Sequence, residues 1–146
     1  ITGKRVVVVG SGMTGLETTE ILNEDGNHVT IIEMAPELAP GTWFQLVDDE
    51  MERISKYDTR IMLGTKLLGV EDGAVIVADA ESGVESRLEA DEVVLSLGVR
   101  PATGNMVTEL SARGIRTVVP VGDAVKSGTI ADACHSAYDS VMKYIR

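Results

Sequence analysis

Three glycines and one glutamate are the residues of this chain whose types and spacing could do chemistry. The run Lys4-Arg5-Val6-Val7-Val8-Val9 leads straight into Gly10-Ser11-Gly12-Met13-Thr14-Gly15, a Gly-x-Gly-x-x-Gly pattern placed directly after an apolar strand. That pattern is suited to holding a pyrophosphate. Gly10 permits a tight turn, Gly12 lets the backbone approach the phosphates, and Gly15 lets the following helix pack closely on the strand. The helix N-terminus then offers free N–H groups and a positive dipole end to the anion. Twenty-three positions after Gly10, a second strand-like run from His28 to Glu33 ends in a carboxylate. An acid placed there accepts hydrogen bonds from both adenosine ribose hydroxyls and repels a 2′-phosphate. No Arg or Lys follows it in Met34-Ala35-Pro36-Glu37. The chemistry implied is recognition of NADH in preference to NADPH, through Gly10, Ser11, Gly12, Met13, Thr14, Gly15, Glu33 and Met34.

These groups need a sheet and helices to position them. Leu16, Ile21 and Leu22 mark an amphipathic helix after the glycines. Pro36-Glu37-Leu38-Ala39-Pro40-Gly41 is a turn-rich connection, and Phe44, Val47, Met51 and Ile54 recur at helical spacing between Trp43 and Tyr57. Asp58 to Leu63 reads as a short third strand. Three further runs, Lys66 to Val70, Ala74 to Ala78 and Glu85 to Ala90, are separated by Glu71-Asp72-Gly73 and Glu81-Ser82-Gly83 and predict an antiparallel meander. The apolar run Glu92 to Leu97 should return to the parallel sheet. The fold class expected is α/β, a Rossmann-like doubly wound parallel sheet with helices on one face, the three-stranded meander on the other, and a C-terminal strand-helix tail. In that tail Asn105 to Arg113 reads as a short helix and Arg116 to Val121 as a strand. Thr129 then caps a last helix through Asp132, with Ile130, Ala133, Cys134, Ala137, Val141 and Ile145 forming its apolar stripe. The division expected is a nucleotide-binding domain over residues 1–100 and a tail over 101–146.

A chain of 146 residues can bury one sizeable core, and it is too short for a barrel and a nucleotide domain together. A net charge of -10 and a pI near 4.6 argue against nucleic acid or an anionic membrane surface as partner. The single cysteine, Cys134, excludes an internal disulfide and a Cys-x-x-Cys pair, which fits a reducing cytoplasm. The chain begins at Ile1 and enters its first strand at once, which suggests a piece of a longer protein.

The whole order of motifs resembles the pyridine-nucleotide half of a flavoprotein with two dinucleotide domains. It runs from Gly10 to Glu17, through a strand ending at Glu33 and a meander, to Leu97-Gly98-Val99-Arg100-Pro101 and Val121-Gly122-Asp123-Ala124. The wording from Gly122 to Ala133 is similar to the C-terminal region of NADH:flavin oxidoreductases of the 2,4-dienoyl-CoA reductase, 2-enoate reductase and trimethylamine dehydrogenase type. The resemblance implies that Glu17 and Gly98 serve the nicotinamide end and that Gly122 and Asp123 belong to an FAD site, Asp123 on the ribityl chain. It also implies FAD in the full-length parent, with FMN and an iron–sulfur cluster in a barrel domain that this chain does not contain. The expected activity is delivery of hydride from NADH to FAD for reduction of an enoate or enoyl-type substrate, with no general acid or base in this chain.

Blander readings stand beside these. Glu17 could be a surface helix carboxylate and Asp123 a turn residue. Cys134 and His135 on the last helix read as packing residues, His28 as surface, and Trp43 as core or lid. As function, the alternatives are a non-catalytic ADP-binding module or a stand-alone Rossmann nucleotide sensor. The tail's strand and helix should belong to the FAD domain of the parent protein, so in isolation their apolar face should dock on the sheet or on a second copy of the chain.

Overall fold

A computed structural model of the chain describes residues 1–144, and the expected stripe residue Ile145 lies outside the described residues. The chain divides into two compact units, Ile1–Leu97 and a second from Gly98 onward.

In the first unit, β1 (Arg5–Val9), α1 (Met13–Glu24), β2 (His28–Ile32), α2 (Phe44–Ile54) and β3 (Arg60–Met62) follow in order. The meander β4 (Thr65–Glu71), β5 (Ala74–Asp79) and β6 (Glu85–Glu89) comes next, and β7 (Glu92–Leu95) returns beside β1. The parallel sheet has the order β3-β2-β1-β7, and the antiparallel sheet β4-β5-β6 is separate. The register is continuous, with Val8 opposite Ile31 on one side and Val94 on the other.

The unbroken valine run of β1 follows from burial on both faces. Side chains alternate along a strand. Val7 and Val9 therefore join Ile32, Val75, Val77 and Ala90 in the core under the meander. Val6 and Val8 point the other way and pack with Leu22 and Val29, while Leu16, Ile31, Ala39 and Ile54 fill the space beneath α1 and α2. Helices thus cover one face of the sheet and the meander covers the other. A backbone stitch holds the meander in place: Glu33 N–H donates to Met62 O at 2.9 Å, Gly64 N–H to Ala35 O at 2.9 Å, and Thr65 N–H to Glu33 O at 2.7 Å. At the other end of the sheet Arg5 clasps Asp91, its Nε at 3.1 Å and Nη2 at 2.6 Å, and also pairs with Glu89. That clasp, hydrogen bonding first and charge after it, holds the Asp91 carboxyl well below the usual carboxylate range.

Three side chains expected inside are outside. Ile21 is 59% exposed, because the buried line of α1 runs through Leu16, Thr19, Leu22 and Asn23 instead. Phe44 and Trp43 are also exposed, since they sit at the opening of α2 before its stripe meets α1; only Ile54 and Glu50 of that helix are buried. Trp43 is therefore no core residue.

In the second unit, α3 (Met106–Ala112) and α4 (Ile130–Tyr144) form as expected, joined through a short 3-10 turn at Gly122–Ala124. Residues 116–121 form no strand. A strand exists only through hydrogen bonds to a neighbour, and the second unit contains no other strand among the described residues to pair with them. Cys134 and Ile130 are exposed as well, while Ala133, Ser136, Ala137 and Ser140 make the half-buried face of α4.

Candidate functional site

The glycine turn is fixed by contacts that leave no room for a side chain. A Cβ on Gly10 would stand 2.3 Å from the Ser96 carbonyl oxygen, and Gly10 has φ +100°, where a side chain is strained in any case. A Cβ on Gly15 would stand 2.1 Å from the carbonyl oxygen of Gly10. The third glycine is thus needed for the helix to close on the turn itself, with Ser96 beside it. Gly12 is different. Nothing lies within 4 Å of where its Cβ would be, and it lines an open cleft. Its freedom serves whatever enters, which is the behaviour expected of a backbone cradle for a pyrophosphate. No side chain caps the start of α1, and no acid occupies its first turn. Its leading N–H groups remain available to an anion.

Glu33 is held as a rigid acceptor. Ser11 N–H and Ser11 Oγ both donate to its Oε2 at 2.9 Å, and Ala35 N–H donates to Oε1 at 2.8 Å. Desolvation pushes its pKa up, but the N–H groups of Ala35, Ser11 and Met34 and the Ser11 hydroxyl outweigh it, so the carboxyl sits below its ordinary value. Ser11 itself is fully buried and also accepts a hydrogen bond from Ala39 N–H at 3.0 Å. It ties the glycine turn to Glu33 and to the connection after β2, so its contribution to a ligand is positional.

Gly10, Gly12, Glu33 and Met34 line one cleft of about 440 Å³ within the first unit. The strand-end residues Val9 and Ile32 complete it together with Pro40, Thr65, Lys66, Leu67, Ser96 and Leu97. Apart from Leu97, which opens the Leu97-Gly98-Val99-Arg100-Pro101 motif, none of the last six was singled out by motif reading, because they come from the far end of β7, the connection before α2 and the meander, and only tertiary folding brings them there. The strand-ending position of Ser96 and Leu97 beside β1 was a usable signal, since ligands of open α/β sheets sit at the carboxyl ends of strands. Met13 is half-buried and packs under α2, and Thr14 is exposed with its carbonyl accepting from Thr18 Oγ1 at 2.6 Å. Glu17 is exposed and does not line the cleft.

Gly98, Gly122 and Asp123 belong to the second unit. There Gly122 N–H donates to Ser136 Oγ at 2.7 Å, and Gly128 N–H reaches Asp123 Oδ1 at 3.3 Å. Gly122 and Asp123 share a recess of about 310 Å³ with Thr129 and Ala133 at the start of α4. The expected capping box is present: Asp132 N–H donates to Thr129 Oγ1 at 3.2 Å, and Asp132 Oδ2 accepts from Thr129 N–H at 2.8 Å. The Thr129 hydroxyl first, and its N–H second, hold the Asp132 carboxyl below its ordinary value.

No helix among the described residues is long and apolar enough to cross a membrane, and no group of His, Cys, Asp and Glu among them is arranged to hold a metal.

Known proteins resemble this chain in sequence and in fold. Dihydrolipoyl dehydrogenase 2 of Arabidopsis thaliana mitochondria is 33% identical over 118 residues, covering 78% of this chain and 23% of that protein. Bilirubin reductase of Mediterraneibacter gnavus is 36% identical over 119 residues, covering 82% of this chain and 18% of the relative. The chain therefore spans about a quarter or less of the length of these relatives. Among solved structures, histamine dehydrogenase from Rhizobium sp. 4-9 superposes with a TM-score of 0.83 at 18% identity over 99% of this chain and 24% of that one, a likeness of fold. A family model described as pyridine nucleotide-disulphide oxidoreductase matches residues 1–119, and the chain belongs to that family, a family of flavin-dependent oxidoreductases that bind FAD and NAD(P).

Proposed function

We propose that Ile1–Leu97 is the NADH-binding module of a flavin-dependent oxidoreductase and that it presents the nicotinamide to an FAD held mainly by other parts of the parent protein. The observation that carries this reading is the cleft itself. An open Gly12, an uncapped helix start and a pre-fixed Glu33 carboxylate face one ligand-sized space. Gly10, Gly12 and the first turn of α1 would hold the pyrophosphate, and Glu33 the adenosine ribose. NADH supplies the hydride when bound. The protein's part is orientation and exclusion of water, so no general acid or base is required of this chain. Reduction of an enoate or enoyl-type substrate by the parent is part of the same proposal, supported by the similarity of the tail to that group of oxidoreductases and by a 36% identical relative that is itself named a reductase. The exposed position of Glu17 favours a second reading, a module that retains a nucleotide without using its nicotinamide.

Calorimetric titration of the full chain with NADH, NADPH and ADP in parallel separates the two. Tightest binding of NADH supports hydride delivery. Equal binding of NADH and ADP supports the nucleotide-retaining module, and no binding of any of the three overturns the cleft as a nucleotide site.

A further inference from the structure

Among the described residues, two charged side chains line the cleft, Glu33 and Lys66. They come from segments far apart in sequence and are joined by backbone. Thr65 N–H donates to the Glu33 carbonyl at 2.7 Å, so Lys66 is the next residue along a strand whose start is bonded to the ribose-reading position. The pleat separates its neighbours: Thr65 is buried and Leu67 packs into the core under the meander, while Lys66 stays exposed. Just beyond, the pairing of β4 with β5 shifts between Leu67 and Gly69, leaving Leu68 as an extra residue. Such bulges bend a strand and redirect its side chains, and they recur beside ligand sites. Among the described residues Lys66 makes no ion pair, unlike Arg5, Arg53 and Arg87. An exposed lysine without an ion pair among the described residues therefore lines the same cleft as Glu33, in a protein of net charge -10.

We propose that Lys66 is a specificity-determining residue, meeting the 2′-position of the adenosine ribose from the meander side and offsetting the repulsion that Glu33 exerts on a 2′-phosphate. The proposal rests on the nucleotide-site reading above and sharpens it. Glu33 alone predicts strong rejection of NADPH. Glu33 with Lys66 predicts a modest preference for NADH, because the lysine attracts the added phosphate, whereas it adds little for a ligand whose ribose carries only hydroxyls. The charge enters from a strand, not from the loop after β2, so a search of the residues following Glu33 does not find it.

Titration of the unmodified chain and of Lys66→Met, which keeps the apolar stem, with NADH and with NADPH at low and high salt tests this. At low salt the substitution should weaken NADPH roughly tenfold, the scale of one charge pair near a protein surface, and NADH less than about threefold. High salt should shrink the difference. Circular dichroism of the variant should match the unmodified chain, since Lys66 is exposed. An unmodified chain that binds NADH but whose NADH-to-NADPH ratio is unchanged by Lys66→Met, or whose two affinities fall equally, overturns the role given to Lys66 and leaves the nucleotide site standing. An unmodified chain that binds neither removes the site itself.

Discussion

The two units handle their apolar residues in opposite ways. Every buried hydrophobic residue among those described lies between Val6 and Ala90, whereas α3 and α4 bury none. Ile130 is 86% exposed, and Tyr138 and Val141 are also exposed. The first unit supplies both surfaces of each contact: sheet and helices on one side, sheet and meander on the other. The second has an amphipathic helix and a strand-like segment but no opposing sheet of its own. A helix can satisfy its backbone alone, while a strand cannot, and that is why α4 forms and residues 116–121 do not become a strand. An apolar stripe in a sequence thus specifies a surface that must be covered, without specifying that the same chain covers it.

The largest expected effect lies in the glycine turn. Gly15→Ala forces a methyl group against the Gly10 carbonyl, where backbone on both sides has no rotamer to yield, so unfolding of the first unit should come easier by about 3 kcal/mol or more and nucleotide binding should be lost. Gly12→Ala should leave stability within about 0.5 kcal/mol, because open space receives the methyl group, yet it should weaken NADH binding by obstructing the approach to the backbone. Urea unfolding and calorimetry on both variants measure the split. Equal loss of stability in the two would show that Gly12 is a packing residue and would remove the main support for the cradle.

An effect on stability alone tests the contrast between the units directly. Ile31→Ala, at a fully buried position on β2 that packs with Leu16, Ala39 and Ile54, should cost about 2–5 kcal/mol. Val141→Ala in α4 removes a side chain that is half exposed and should change the stability of this chain by no more than about 0.5 kcal/mol. A comparable loss from Val141→Ala in urea unfolding would mean that the second unit has a packed interior, and the contrast drawn above would fall.

How much of this was legible in the sequence follows the same division. The parallel sheet, the meander and both helices of the first unit could be read, because alternation, helical spacing and Asp-Gly or Ser-Gly turns are local signals and the unit's tertiary contacts agree with them. The readings that failed needed knowledge of what lies opposite. Ile21 and Phe44 fit a helical period but fall just beyond the line that α1 and α2 share. Cys134 fits the α4 stripe, yet the half-buried face of that helix runs through smaller residues. At the site, Gly10, Gly12 and Glu33 were visible as a motif of known chemistry, but Lys66 was read only as strand, since nothing local connects it to a residue 33 positions earlier. The double role of Ser11 was hidden for the same reason: its partners are Glu33 and Ala39.

The smallest effect concerns Glu50, a carboxylate whose environment is the reverse of that around Glu33. Glu33 is surrounded by donors, and its pKa falls. Glu50 is buried between the helices with Oε1 unpartnered. Burial first pushes its pKa up, Arg53 pulls it back, and Glu20, itself bound by Arg53 Nε at 2.9 Å, adds like charge. The folded-state pKa of Glu50 therefore lies above the ordinary 4.5. Below that ordinary value the group is protonated in folded and unfolded chains alike, and its contribution to stability is fully present. As pH rises past it the unfolded chain ionises first, so the contribution is lost progressively until the folded-state pKa is passed. Glu50→Gln cannot ionise and lacks this loss, while its amide oxygen can still accept from Arg53. The stability of the variant relative to the unmodified chain should therefore improve as pH is raised from about 4 to about 7, by no more than about 1 kcal/mol. Urea unfolding at a series of pH values reads this difference directly. A gap that stays constant, or that widens in favour of the unmodified chain, would show that Arg53 fully compensates Glu50 and that the helix pair, like the cleft, holds its carboxylate as a satisfied anion.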